Sequence, residues 1–131
     1  GVRYINDSKG TNPDATEKAA AAMTRPTVII MGGYDKNSSF EQLIAGFGDN
    51  IRAIVAIGGT QQKILSDAAK AGFKNIYTAD SFEEAVVKSR GLAQEGWNVL
   101  LSPACASYDM FTDFEERGRV FKSIVNSFQR E

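Results

Sequence analysis

The chain has 131 residues, the length of one domain, and 15 Lys and Arg against 16 Asp and Glu. No basic block stands out in the sequence, which argues against non-specific binding to nucleic acid or to a membrane surface. There is no His and a single cysteine, Cys105, so the chain alone assembles neither a Cys/His metal site nor an internal disulfide. With no apolar run near about 18 residues and no signal peptide, the expected location is the cytoplasm.

Residues 2–5 are a short apolar-rich run, read as the first strand. Asn12 followed by Pro13 is a good helix start: a side chain that caps the first N–H groups, then a ring already set at the helical φ. This helix runs through the alanines to about Met23 and stops before Pro26, which disfavours helix at Arg25. Residues 27–31 are apolar at consecutive positions, as in a strand covered on both faces. Residues 32–37 follow as a loop. Ser38 and Glu41 then have capping-box spacing, with Phe40, Leu43, Ile44 and Phe47 at helical period. Ile51–Ile57 is the third strand, ending at Gly58, Gly59 and Thr60. The next helix sets Ile64, Leu65 and Ala68 on one face, with Gly72 just past its C-cap. Residues 75–78 are a short fourth strand. Asp80 or Ser81 caps a helix whose inner face is Phe82, Ala85, Val86, Ser89, Leu92 and Ala93. Gly96 precedes a fifth strand, residues 97–101. The last helix starts near Thr112, which has capping-box spacing to Glu115. It buries Phe114, Phe121, Ile124, Val125 and Phe128, and Arg130 and Glu131 are expected to fray.

Strand and helix alternate to the end. That order predicts a single α/β domain over residues 1–131. Its sheet is three-layered, open and mostly parallel, with about five to six strands and helices on both faces. In such a sheet the loops at the carboxyl ends of the strands bind ligands. Three of those loops carry polar chemistry: residues 6–12, 32–37 and 102–111. Together they offer the cations Lys9 and Lys36, the hydroxyls Ser8, Thr11 and Ser107, and helix N-termini. That set suits an anion such as a carboxylate or phosphate. Asp7 can accept from a ribose hydroxyl or a ligand amine. Gly58, Gly59 and Thr60 hint at a dinucleotide turn, but the full G-x-G-x-x-G pattern is missing, as is any G-x-x-x-x-G-K-[ST] phosphate loop. Cys105 has no His partner and reads as a small buried side chain; Glu115 and Glu116 complement the dipole of the last helix. No catalytic group and no metal ligand is assigned within the chain.

The runs Asn6-Asp-Ser-Lys-Gly-Thr-Asn12, Gly32-Gly-Tyr-Asp-Lys36 and Leu101-Ser-Pro-Ala-Cys-Ala-Ser107, with Phe111 and Phe114-Glu-Glu-Arg-Gly118, occur in that order along the whole chain. They resemble the C-terminal domain of the Mur ligases, and the serine-rich final run resembles the branch that adds D-glutamate. The resemblance implies a Rossmann-like C-terminal domain of a three-domain, ADP-forming ligase of bacterial peptidoglycan synthesis, and so a part in cell-wall biogenesis, cell shape and division. The substrates would be UDP-N-acetylmuramoyl-L-alanine, D-glutamate and ATP. ATP and Mg2+ would be held mainly by a central domain, and the sugar nucleotide by an N-terminal one. ATP would phosphorylate the substrate carboxylate, and the amine of D-glutamate would attack the resulting acyl phosphate. By the same resemblance Thr11, Lys36, Ser107 and the Tyr108 backbone meet the D-glutamate carboxylates, with Phe114 beside them. Asp7, Lys9 and Asn12 belong to the segment at the nucleotide and the domain hinge. The isolated chain is then expected not to catalyse ligation. The alternative from the residues alone is a free-standing α/β module for a nucleotide or small anion. A reading frame that extends upstream into a phosphate loop separates the two.

Overall fold

The computed structural model describes residues 1–34, 39–107 and 110–128. Its strands are β1 (Arg3–Asn6), β2 (Thr27–Gly32), β3 (Ile51–Ile57), β4 (Ile76–Thr78) and β5 (Asn98–Leu101). They form one 5-stranded sheet in the order β1-β5-β2-β3-β4, and every ladder is parallel. The helices are α1 (Pro13–Ala21), α2 (Glu41–Ala45), α3 (Gln61–Lys70), α4 (Phe82–Leu92) and α5 (Phe114–Phe128).

The consecutive apolar residues of the strands divide between two cores. Ile29, Met31, Ile54, Ala56 and Leu100 face α1, α2 and α3. Val28, Ile30, Val55, Ile57, Val99 and Leu101 face α4 and α5. Successive side chains of a strand point to opposite faces, so a strand covered twice must be apolar at every position. The three-layer expectation therefore holds, with five strands.

Connection handedness explains which helix lies where. The chain moves across the sheet in one direction through β1, β2, β3 and β4, and α1, α2 and α3 share one face. It then returns to place β5 between β1 and β2. A return crossover keeps the same hand only if its helix takes the opposite face, which is where α4 packs. The loop after β5 leads to α5 on that second face, while its neighbours β1 and β2 lead to helices on the first. Diverging connections at adjacent strand ends open a crevice there, the usual ligand position in such sheets.

Most helix ends follow local sequence. Asn12 caps α1, its Oδ1 accepting from Ala15 N at 3.0 Å, with Pro13 at the first position. The helix ends at Ala21, a turn-half earlier than the expected Met23. Ser81, not Asp80, caps α4, accepting from Glu84 N at 3.0 Å. Gly72 follows the C-cap of α3 with φ +80.

Two ends differ. The Ser38 of the expected Ser38–Glu41 box lies outside the described residues. At that end the buried Phe40 N–H donates to the carboxylate of Asp67, on α3, at 2.8 Å. The start of α5 is shifted by one residue. Asp113 Oδ1 accepts from Glu116 N at 2.8 Å, and Glu116 Oε1 reaches back to Thr112 N at 3.2 Å. The box is therefore Asp113–Glu116 rather than Thr112–Glu115, because a carboxylate one residue later fills the same geometry. On the inner face of α5 Phe121 is fully buried, whereas Phe114, Ile124, Val125 and Phe128 are half-buried. Arg117 and Gly118 take the most buried places instead. Arg130 and Glu131 lie outside the described residues. No helix among the described residues is long and apolar enough to cross a membrane.

Candidate functional site

The crevice is built from the loops after β1, β5 and β2, which are adjacent in the sheet. The loop after β1 turns tightly on itself. Gly10 N donates to Asp7 O at 2.8 Å and Thr11 N to Lys9 O at 2.7 Å. Asn6 Oδ1 accepts from Ser8 N at 3.1 Å and from the Ser8 hydroxyl. These bonds bury Ser8 and leave Lys9 exposed.

Residues 102–107 join all three loops. Toward β1, Ala104 N donates to Gly10 O at 2.8 Å, and Ser102 Oγ donates to Asp7 Oδ2 at 2.7 Å. Toward β2, Gly32 N donates to Pro103 O at 2.9 Å and Tyr34 N to Ala106 O at 2.8 Å. Tyr34 and Ala106 form an isolated antiparallel bridge, so the parallel sheet ends in a short clasp. Ala104 takes φ 63, a left-handed conformation that costs a non-glycine residue of order 1–2 kcal/mol. The bonds on both sides of it hold that conformation in place.

Close approach of these backbones requires glycine at Gly33. Its φ is +149, and a Cβ there would lie 2.4 Å from Ala106 O. Thr60 braces the same residue: Gly33 N donates to Thr60 Oγ1 at 3.1 Å, and Thr60 N donates to Gly33 O at 3.2 Å. The hydroxyl of Thr60 also lies 3.5 Å from Cys105 Sγ, and Cys105 is buried, as a packed side chain. Gly58–Thr60, which hinted at a nucleotide turn, is thus a 3-10 turn that supports the loop after β2.

A cleft of about 350 Å³ opens between the loop after β1 and α5. Asp7, Lys9 and Phe114 line it, joined by Glu115, Arg119 and Lys122. Three cations against two carboxylates give the cleft a positive balance, and the half-buried Phe114 supplies an apolar wall. The arrangement can hold a small anion against an aromatic edge.

The expected site residues therefore fall into groups. Asp7, Lys9 and Phe114 share the cleft. Thr11 and Ser107 are not among its lining residues. Thr11 is half-buried in the tight loop after β1, while Ser107 is buried, and its carbonyl accepts from Met110 N at 3.0 Å and Phe111 N at 2.8 Å. Asn12 spends its side-chain oxygen on the cap of α1. Lys36 and Tyr108 lie outside the described residues. Among the described residues there is no cluster of three or more His, Cys, Asp or Glu side chains that could hold a metal ion. Sequence reasoning missed two supports: Arg117, a charged residue on α5 that donates to Cys105 O and Ser8 O, and Thr60, a polar one after a glycine pair. Neither type signals burial, and only the loops that they brace reveal their use.

Comparison with known proteins shows the family of the chain. Residues 1–105 match the family described as Mur ligase, glutamate ligase domain. The UDP-N-acetylmuramoylalanine--D-glutamate ligase of Caldanaerobacter subterraneus subsp. tengcongensis is 49% identical over 132 residues, covering 99% of this chain and 29% of the relative. The ligase of the same name from Lachnospira eligens is 51% identical over 127 residues, 97% of this chain and 28% of the relative. That from Lachnoclostridium phytofermentans is 48% identical over 131 residues, 100% of this chain and 29% of the relative. The chain thus spans less than a third of the length of the curated relatives that it matches. The match covers β1 to Cys105, and so the strands and most of the clasp that build the crevice, and on that ground the chain belongs to the Mur ligase glutamate ligase domain family.

Proposed function

We propose that this chain is the D-glutamate-receiving domain of an ATP-dependent ligase that extends UDP-N-acetylmuramoyl-L-alanine in peptidoglycan synthesis. The observation that carries the reading is the clasp of residues 102–107, which fastens the loops after β1 and β2 to the loop after β5. A half-site fastened in this way is ordered before its ligand arrives, so less ordering entropy opposes binding.

In this reading Thr11, Lys36, Ser107 and the Tyr108 backbone receive the two carboxylates of D-glutamate, with Phe114 beside them. Asp7, Lys9 and Asn12 belong to the nucleotide-facing and hinge segment. Nucleotide, Mg2+ and the sugar substrate bind mainly to central and N-terminal domains of the same protein. The task of this chain is positional: it presents the amine of D-glutamate to an acyl phosphate, where orientation alone supplies several kcal/mol, about 7–11 in the best intramolecular cases. Closure over the intermediate excludes water that would hydrolyse it. The isolated chain then has no ligase turnover.

An amide-shift titration with D-glutamate, L-glutamate and ATP in separate samples tests this. Shifts with D-glutamate at Thr11, Lys36, Ser107 and Phe114, weaker with L-glutamate, are expected. Shifts with ATP alone, centred on Gly58–Thr60, would replace the reading with a free-standing nucleotide-binding module. In a full-length ligase carrying this domain, Lys36→Ala should raise the D-glutamate requirement far more than the ATP requirement. Equal effects would remove Lys36 from the carboxylate site.

A further inference from the structure

Arg117 is 1% exposed, the largest side chain in the fully buried set. Its Nη1 donates to Cys105 O at 3.0 Å and its Nη2 to Ser8 O at 2.7 Å. Those two carbonyls belong to different loops, one after β5 and one after β1. Ser8 immediately precedes Lys9 and stands three residues before Thr11, and Cys105 stands two residues before Ser107. The next residue on α5 is adapted to the same contact. A Cβ on Gly118 would lie 2.9 Å from Asn6 Nδ2 and 3.1 Å from Ser8 Oγ, so the missing side chain lets the loop after β1 rest on the helix.

Burying a guanidinium is unfavourable, and packed apolar side chains commonly match or exceed a buried charge in stability. What an apolar side chain cannot do is bridge two carbonyls. The guanidinium fixes its two terminal nitrogens in one plane on one carbon, so it sets the separation of the groups that it joins. A lysine ammonium is a single point on a flexible stem and cannot set a distance in that way.

We infer that Arg117 is a positioning residue for glutamate binding: by joining Ser8 O to Cys105 O it fixes the spacing between the Lys9–Thr11 turn and Ser107. The inference rests on the glutamate reading for its ligand, but the bridge itself is testable without ligand. Three variants of the chain decide it: Arg117→Met, Arg117→Lys, and Phe121→Leu as a destabilising control on the same helix, a core residue whose ring meets Tyr4 and Phe82 and which makes neither of the two carbonyl bonds. In Arg117→Met, hydrogen exchange at the amides of Gly10 and Ala104 should quicken about tenfold relative to Ile29 and Ile54 in the same sample. In Phe121→Leu all four should change in proportion. Affinity for D-glutamate should fall about tenfold in Arg117→Met and stay within about twofold in Phe121→Leu, with Arg117→Lys restoring only part of the loss. If Arg117→Met does not fold, Arg117→Lys against Phe121→Leu supplies the same comparison. Parallel exchange changes in the arginine variants and the control, or D-glutamate affinity untouched by loss of Arg117, would overturn the inference. No D-glutamate response in the unmutated chain would count against the glutamate reading alone, and loop-selective exchange would still uphold the bridge.

Discussion

Ser102→Ala is the substitution whose effect follows most directly from the geometry. Ser102 is fully buried at the end of β5, with its Oγ 2.7 Å from Asp7 Oδ2 and 3.0 Å from Thr16 Oγ1. A hydroxyl carries one proton, and the nearer, charged acceptor takes it. The Thr16 hydroxyl keeps its own acceptor, Ser102 O, at 3.2 Å. Alanine at 102 therefore removes the donor to Asp7 and leaves Thr16 satisfied. Hydrogen bonds to charged groups contribute about 1.5–3 kcal/mol. Asp7 is only half-buried, so water replaces part of the lost partner and the loss falls at the lower end, about 1.5 kcal/mol. For a domain of this size that lowers the melting temperature by roughly 5 °C. Urea unfolding followed through Trp97, just ahead of β5, measures it for Ser102→Ala, Asp7→Ala and the double variant. The cycle isolates the pair, with an expected coupling of about 1 kcal/mol or more. A coupling below about 0.3 kcal/mol would mean that Ser102 does not hold the loop after β1, and the clasp would lose one of its two fastenings on that side.

Three further outcomes follow from the same structure. Asp67→Ala should cost about 1–3 kcal/mol in urea unfolding, because it leaves the buried Phe40 N–H without its acceptor, and Asp67→Asn should recover most of the loss. Gly33→Ala should destabilise by about 3 kcal/mol or more, since its Cβ would stand 2.4 Å from Ala106 O at φ +149. Gly48→Ala, with nothing within 4 Å, should stay within about 0.5 kcal/mol by the same assay. Burial of Tyr4 raises its phenol above 10.0, although Arg90 acts in the opposite sense. The folded form thus holds the proton more tightly than the unfolded one. The stability this gives is complete below pH 10.0 and is lost as pH rises through the higher folded value. Melting temperatures between about pH 9 and about pH 11 should fall more steeply for the unmutated chain than for Tyr4→Phe.

The sequence carries the layer architecture because burial on two faces leaves a mark at every strand position. Val28 to Met31 alternate between the two cores, and no soluble surface strand would be apolar throughout. Caps made by neighbours in sequence were equally legible, as at Asn12 and Ser81. What was hidden is what depends on distant partners. The acceptor for Phe40 N sits 27 residues away on another helix, and the partners of Arg117 sit 12 and 109 residues away. At the start of α5, Thr112, Asp113, Glu115 and Glu116 offer two overlapping boxes of the same spacing, and only the chain path selects the later one. For the candidate site, residue types and loop positions pointed to strand ends that the fold places side by side. Chemistry alone did not separate Asp7, Lys9 and Phe114, which share a cleft, from Thr11 and Ser107, which do not line it.

The strand order also bears on how the molecule is made. β1 has one strand neighbour, β5, and the register pairs Arg3 with Asn98. During synthesis the first strand therefore has nothing to pair with until almost the whole domain has left the ribosome. β2, β3 and β4 pair with near neighbours in sequence and can assemble early, whereas closing the long loop to β5 is entropically slow. The crevice lies at the β1, β5 and β2 ends, so it cannot be complete before β5 is in place. A chain that stops short of β5 lacks residues 102–107 and cannot form the clasp that joins the three loops.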